Sequence, residues 1–253
     1  MIRQKKSISK NKKSGVKVVI PAYNSEKTIE EVYRNIPHEL RDGVIIVDDG
    51  SKDHTIEVVK KLGLGIITHK KNLGYGANQK TLYTQALKSG AKYIIMLHPD
   101  GQYDPKDLPK FINALRERKG DLILGSRFLT DGINETPFYK SISIKLITMV
   151  FNLVLRTHIS EVNTGYRGYN AKLLKTVPFF KNGNGYIFDP QLIIQSAFFG
   201  FKIANVPVSK RYHKEAISPN FSKSIQHGLE NIQLMIKYIL HRLRLKKANF
   251  LIR

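Results

Sequence analysis

The chain has 253 residues, and 42 Lys and Arg against 20 Asp and Glu give a net charge of +22. There is no cysteine, which excludes disulfides, thiolate metal sites and Cys nucleophiles. Beyond compositional drift toward lysine, such a charge implies an anionic partner: nucleic acid, an anionic membrane surface or a phosphorylated substrate.

Residues 1–14 hold Arg3, Lys5, Lys6, Lys10, Lys12 and Lys13, with no acid and no signal-like apolar stretch. They are expected to form a disordered basic tail. The apolar run 16–20 reads as a buried strand. Ser25 is expected to cap a helix with Ile29, Val32, Tyr33 and Ile36 on one face. A second strand is expected at 44–47, and a helix starting at Ser51 or Asp53. A third strand at 65–68 and a helix at 75–88 follow. The fourth strand is read at 93–97. Asp104 should cap the next helix, with Pro105 in its first position. The fifth strand is read at 121–124.

This alternation predicts an α/β chain with a mainly parallel central sheet and helices on both faces. The second half is less regular. Helices are expected at 141–157 and 188–199, and strands at 165–171 and 206–212. A long amphipathic C-terminal helix is read at 222–245, with Ile225, Leu229, Ile232, Ile236, Ile239 and Leu243 at near-helical spacing. Its apolar stripe suits core packing, a dimer contact or a membrane surface. No run reaches the ~18 apolar residues of a membrane span, so a soluble or peripheral protein is expected.

In open α/β sheets, ligands bind beyond the carboxyl ends of the strands. Those ends are polar here. They are Pro21-Ala22-Tyr23-Asn24, Asp48-Asp49-Gly50-Ser51, His98-Pro99-Asp100-Gly101-Gln102 and Gly125-Ser126-Arg127. Acids, a histidine and an arginine converging on one edge make a candidate site.

These runs resemble family 2 glycosyltransferases of the GT-A fold. The run Val18-Val19-Ile20-Pro21-Ala22-Tyr23-Asn24 is similar to the family's opening. Ile46-Val47-Asp48-Asp49-Gly50-Ser51 is similar to its second motif, and Asn72-Leu73-Gly74-Tyr75-Gly76-Ala77 to its third. Gly125-Ser126-Arg127 and Thr164-Gly165-Tyr166-Arg167 resemble the dolichyl-phosphate mannosyltransferase-like branch, although Glu161 stands where that branch often has Asp. Arg211-Tyr212, Glu215-Ala216-Ile217-Ser218 and Phe221 resemble the end of a soluble bacterial and archaeal subgroup.

The resemblance implies one catalytic domain at 15–253, with a nucleotide-sugar half at 15–127 and an acceptor half at 128–253. It implies an inverting transferase that uses a UDP- or GDP-sugar. Asp48 or Asp49 would meet the base or ribose; a turn-forming Asp-Gly pair is the alternative. Gly50 belongs to that turn and Gly74 to the third motif. Pro21, Ala22 and Tyr23 would shape the base pocket, and Glu26 would lie near the nucleotide or simply favour a helix start.

His98 and Asp100 occupy the place of the family's metal-binding Asp-x-Asp, so a divalent metal, Mn²⁺ or Mg²⁺, is expected on Asp100. His98 either ligates it or hydrogen-bonds a neighbour. Gln102 would position the diphosphate or sugar. Arg127, Arg167 and Arg211 would meet phosphate. Asp189 would orient or deprotonate the acceptor, or else cap a helix before Pro190.

The expected acceptor is a polyprenyl phosphate or a lipid-linked glycan of the cell surface. The expected location is cytoplasmic or peripheral at the inner face of the membrane, and a homo-oligomer is compatible with the long helix. Nucleic acid is the rival partner, but acidic strand ends repel phosphates. A non-catalytic sugar-binding relative is the other alternative.

Overall fold

The computed structural model describes residues 15–130, 138–209 and 221–252. The basic tail at 1–14, Arg211 and the Glu215–Ser218 motif lie outside them. The first half runs β1 (Val16–Ala22), α1 (Ile29–Asn35), α2 (His38–Arg41), β2 (Val44–Asp48), α3 (Thr55–Lys61), β3 (Ile66–Thr68), α4 (Tyr75–Lys88) and β4 (Tyr93–Met96). Then come α5 (Leu108–Arg116), β5 (Leu122–Ser126), α6 (Phe138–Leu155), β6 (Arg167–Asn170) and α7 (Ala171–Thr176). The described chain closes with α8 (Phe188–Phe198), β7 (Ile203–Pro207) and α9 (Phe221–Arg242).

The strands form one sheet in the order β3-β2-β1-β4-β6-β5-β7. Every pairing is parallel except those of β6, which runs against both β4 and β5. Strands covered on both faces read as unbroken apolar runs rather than as alternation. Thus Val18, Val19 and Ile20 are all fully buried. Val19, Val47 and Met96 face one layer, packed with Leu82 and Tyr83 of α4 and Leu192 and Ile193 of α8. Val18, Ile20 and Ile95 face the other, packed with Val32 of α1 and Phe111 and Leu115 of α5.

Three local expectations are corrected. The last described strand begins at Ile203 rather than 206 and runs to Pro207, because its register is set by pairing along β5, from Leu122↔Ile203 to Ser126↔Pro207; residues 210–212 of the expected strand lie outside the described residues. Pro207 is tolerated there because β7 is an edge strand. The strand expected at 165–171 shortens to Arg167–Asn170, because the Asn170 side chain accepts the Lys172 amide at 3.0 Å and starts α7. Ser25 does not cap α1 with its hydroxyl, which donates to the Tyr23 carbonyl; the Ser25 carbonyl accepts the amides of Thr28 and Ile29 instead. Asp104 caps as expected, accepting the Lys106 amide at 2.9 Å.

Phe111 supports the site from below, packing on Tyr166 with ring centroids 4.3 Å apart. Phe111→Ala should destabilise the fold by about 3–5 kcal/mol, as a cavity under Tyr166. Urea unfolding of the purified variant measures this.

Candidate active site

The carboxyl ends of β1, β2, β4 and β5 lie at one sheet edge. Because β6 is reversed, its first residue reaches the same edge: Arg167 pairs with Met96 at the end of β4 and with Leu124 in β5. The reversal thus brings a motif from the second half against the His98–Gln102 loop.

On the β1 and β2 side, Pro21 and Ala22 end β1, and the Ala22 carbonyl accepts the Asp49 amide. Tyr23 is left partly exposed at the rim. The two adjacent acids do different things. Asp48 accepts the amides of Gly50 and Ser51, each at 3.0 Å, and the Ser51 hydroxyl, so it holds its own turn. Asp49 reaches across to accept the amides of Leu73 and Gly74 at 3.0 and 2.9 Å and lies 2.6 Å from His69 Nδ1. It ties the second motif to the third.

A carboxylate offers about four acceptor positions, and each of these buried acids has three of them filled from within the chain. Gly50 has φ +72 and lies against the Lys71–Asn72 backbone, where a side chain would collide. Gly74, at φ +100, lies equally close to the Asn184 carbonyl. Glu26 is engaged structurally: it accepts the His54 amide at 2.9 Å while its own amide donates to Asp53 at 3.1 Å.

The centre of the edge is a buried network around Asp189, the second residue of α8. Its Oδ2 accepts from the Tyr75 hydroxyl at 2.9 Å and its Oδ1 from Gln79 Nε2 at 2.9 Å. Arg167 Nη1 lies 2.7 Å from Oδ1, close enough for an ion pair but out of line for a hydrogen bond. Arg167 Nε also has no acceptor. Burial works against the arginine's charge, but the neighbouring Asp189 carboxylate outweighs it and raises the Arg167 pKa. Burial also keeps the Tyr75 phenol protonated well above its ordinary value, with Asp189 adding to the effect, and pushes Tyr169 up to about 12.

Tyr75 fixes His98 as well. Its one hydrogen goes to Asp189, so at the 3.1 Å contact with His98 Nε2 it is the acceptor. His98 Nε2 therefore bears the hydrogen. A ring nitrogen bearing hydrogen cannot ligate a metal, which leaves only Nδ1 for that role. Gly165 lies directly against His98 Nε2, with no room there for a side chain.

Asp100 is half-exposed in the same loop; its Oδ1 accepts the amide of the buried Gln102 at 3.1 Å. No group of three or more His, Asp or Glu gathers into a metal cage among the described residues.

Arg127 does not join this network. It is buried and ion-paired with Glu161, which accepts from Arg127 Nε at 2.8 Å and from its backbone amide at 3.0 Å. Asp189 is not a helix cap either, because its side chain is turned to Arg167, Gln79 and Tyr75. Tyr75, Gln79 and Tyr186 are the members that the sequence reading left out. Tyr186 packs on Tyr75 with centroids 4.9 Å apart, and burial, with Asp100 and Asp189 nearby, raises its pKa. Tyr75 stands inside the third motif, so its place between two glycines was the available signal. Gln79, one turn further along α4, gave none.

The family model for glycosyl transferase family 2 matches residues 17–178. The chain belongs to this family. Two uncharacterized proteins of Methanocaldococcus jannaschii are 31% and 29% identical, covering 87% and 86% of this chain and 97% and 90% of their own lengths. A UDP-N-acetylglucosamine–dolichyl-phosphate N-acetylglucosaminyltransferase of Methanococcus voltae is 25% identical over 87% of this chain and 95% of its own. Glucosyl-3-phosphoglycerate synthase of Mycobacterium tuberculosis, crystallised with Mn²⁺, UDP and phosphoglyceric acid, superposes with a TM-score of 0.66 at 20% identity, over 92% of this chain and 80% of that one. The family 2 chain therefore has the GT-A fold.

Glu161→Ala should cost about 3–5 kcal/mol, because it removes the carboxylate that pairs with the buried Arg127 guanidinium. Thermal melting of the variant checks this.

Proposed function

We propose that this glycosyltransferase moves one sugar from a UDP- or GDP-sugar to a lipid phosphate, with inversion, in the synthesis of a cell-surface glycan at the inner face of the membrane. A phosphate oxygen of the acceptor attacks the anomeric carbon. The bond from that carbon to the donor diphosphate breaks, and the nucleoside diphosphate leaves with the electron pair.

The observation that carries this reading is the state of Asp189. Its carboxylate is ion-paired with Arg167 and hydrogen-bonded by Tyr75 and Gln79, so both oxygens are engaged in holding a geometry rather than aimed at an acceptor hydroxyl. An acceptor hydroxyl needs a base, whereas an acceptor phosphate is already ionised. The buried Arg167 Nε, which has no acceptor, supports an oxyanion at this point, since an unmade buried hydrogen bond is costly. The Methanococcus voltae relative, whose name gives dolichyl phosphate as acceptor, supports the same class.

On the donor side, the strand-end loop of Asp48 and Asp49 would hold the nucleoside, with the exposed Tyr23 ring available for stacking on the base. Asp100 would hold a divalent metal, Mn²⁺ or Mg²⁺, which when bound offsets diphosphate charge and stabilises the leaving group. The Mycobacterium tuberculosis neighbour crystallised with Mn²⁺ and UDP supports this choice. Gln102, next to Asp100, would orient the diphosphate or sugar. Arg127 would contribute positive potential toward the phosphates only as far as Glu161 leaves it.

Calorimetric titration with UDP, GDP, dTDP and CMP, with and without Mn²⁺, tests the donor half. One diphosphate should bind in a manganese-dependent way and Asp100→Ala should abolish it. Absence of nucleotide binding under every condition would overturn the transferase reading. Steady-state kinetics of Asp189→Asn with a polyprenyl phosphate test the acceptor half. The acceptor KM should rise, while kcat should fall by less than the roughly 10²–10⁴-fold expected for loss of a general base.

A further inference from the structure

Helices α6 and α9 lie side by side, and a side chain at Gly228 of α9 would meet Ile147 of α6 at 3.9 Å. Each helix has an ordinary core face. Phe151 and Leu155 of α6 and Leu234, Met235 and Tyr238 of α9 are buried. Each also has a second apolar face turned to solvent. On α6 it is Ile142, Leu146, Met149 and Leu153, the last 81% exposed. On α9 and the residue that follows it, the face is Leu229, Ile232, Ile236, Ile239 and Leu243, exposed by 40–61%.

Both stripes repeat at steps of three and four residues, so each holds one side of its helix. The core faces of both helices, Phe151 and Leu155 of α6 and Leu234, Met235 and Tyr238 of α9, belong to one hydrophobic cluster, with Ile147 packed against it. The two stripes, on the sides away from that cluster, therefore open to the same side of the pair. Exposed apolar patches of this extent mark interaction sites.

Charge decides the occupant. The sequence of α6 has no acid and that of α9 has only Glu230. The two helices and the segment after each expose Lys145, Arg156, Arg242, Arg244, Lys246 and Lys247. A second copy would bring the same basic rim against itself, in a chain that already carries +22. An anionic lipid surface matches both the apolar stripe and the rim. No helix among the described residues is long and apolar enough to cross a bilayer, so the face would lie on the surface.

The face also adjoins the site. His227 of α9 meets the Tyr186 ring edge-on with centroids 5.3 Å apart, and Tyr186 packs on Tyr75 beside Asp189.

We propose that the paired outer faces of α6 and α9 dock this protein on an anionic membrane, with Tyr186 and Tyr75 linking the docked face to the acceptor side of the site. Only the purpose of the docking rests on the transferase reading, since binding to lipid requires no chemistry.

The test is co-sedimentation of the full chain with phosphatidylglycerol-containing vesicles and with pure phosphatidylcholine vesicles. Wild type should bind the anionic vesicles, and salt should weaken that binding. Leu153→Glu and Ile236→Glu should each weaken it about tenfold, by removing a buried apolar side chain from the contact. Both positions are exposed, so melting temperature and nucleotide titration should stay at wild-type values. That keeps failure of docking separate from failure of the transferase reading. The chain has no tryptophan, so Leu153→Trp gives a single reporter whose emission should shift to the blue on anionic vesicles. Wild type that ignores anionic vesicles, or Glu variants that bind them unchanged, would overturn the proposal. Self-association in ultracentrifugation that the same Glu variants abolish would assign the face to a second copy and equally overturn it.

Discussion

The buried charge of Arg167 is the constraint around which the centre of this molecule is arranged. A guanidinium with almost no access to water must have a counter-ion, and Asp189 supplies it from the first turn of α8. Asp189 must then have its other acceptor positions filled, and Tyr75 and Gln79, one helical turn apart on α4, fill them. Tyr75 in turn fixes the hydrogen on His98. Four elements, β6, α8, α4 and the loop after β4, are thus locked by one charge pair and its hydrogen bonds. The cost of breaking such a linked buried network explains why so many polar groups can sit there together.

The close approach of backbone to backbone is what permits the lock. Gly76 lies against the Gly183 carbonyl and Phe188, and its amide donates to the Asn184 carbonyl. A side chain at Gly76 would push α4 away from α8 and open the distance that Tyr75 and Gln79 span. The amide-rich start of α4 is therefore closed by protein.

The same economy separates the arginines. Arg127 and Arg167 follow glycine-containing motifs that look alike in sequence, yet one is matched by Glu161, which takes the backbone amide on one carboxylate oxygen and the side chain on the other, and the other faces Asp189 out of hydrogen-bond alignment. The pairing with Glu161 occupies the Arg127 side chain. Incomplete pairing leaves Arg167 with donors to offer. The net charge of +22 is likewise unevenly used, since the outer faces of α6 and α9 combine it with exposed apolar side chains and almost no acid.

The sequence by itself determined the parallel half of the sheet, because apolar runs such as Val18-Val19-Ile20 with polar residues at their ends have one stable place in an α/β layer. It also determined that Asp48, Asp49, His98, Asp100 and Gln102 share an edge, because in such a sheet every parallel strand ends on the same side. Only the tertiary structure decided that β6 is inserted backwards between β4 and β5, since pairing direction is a non-local choice that four residues do not encode. It alone decided that Asp189 meets Arg167 while Arg127 meets Glu161. An ion pair is made by whichever charges the packed elements bring within reach, and separation along the chain says nothing about that distance.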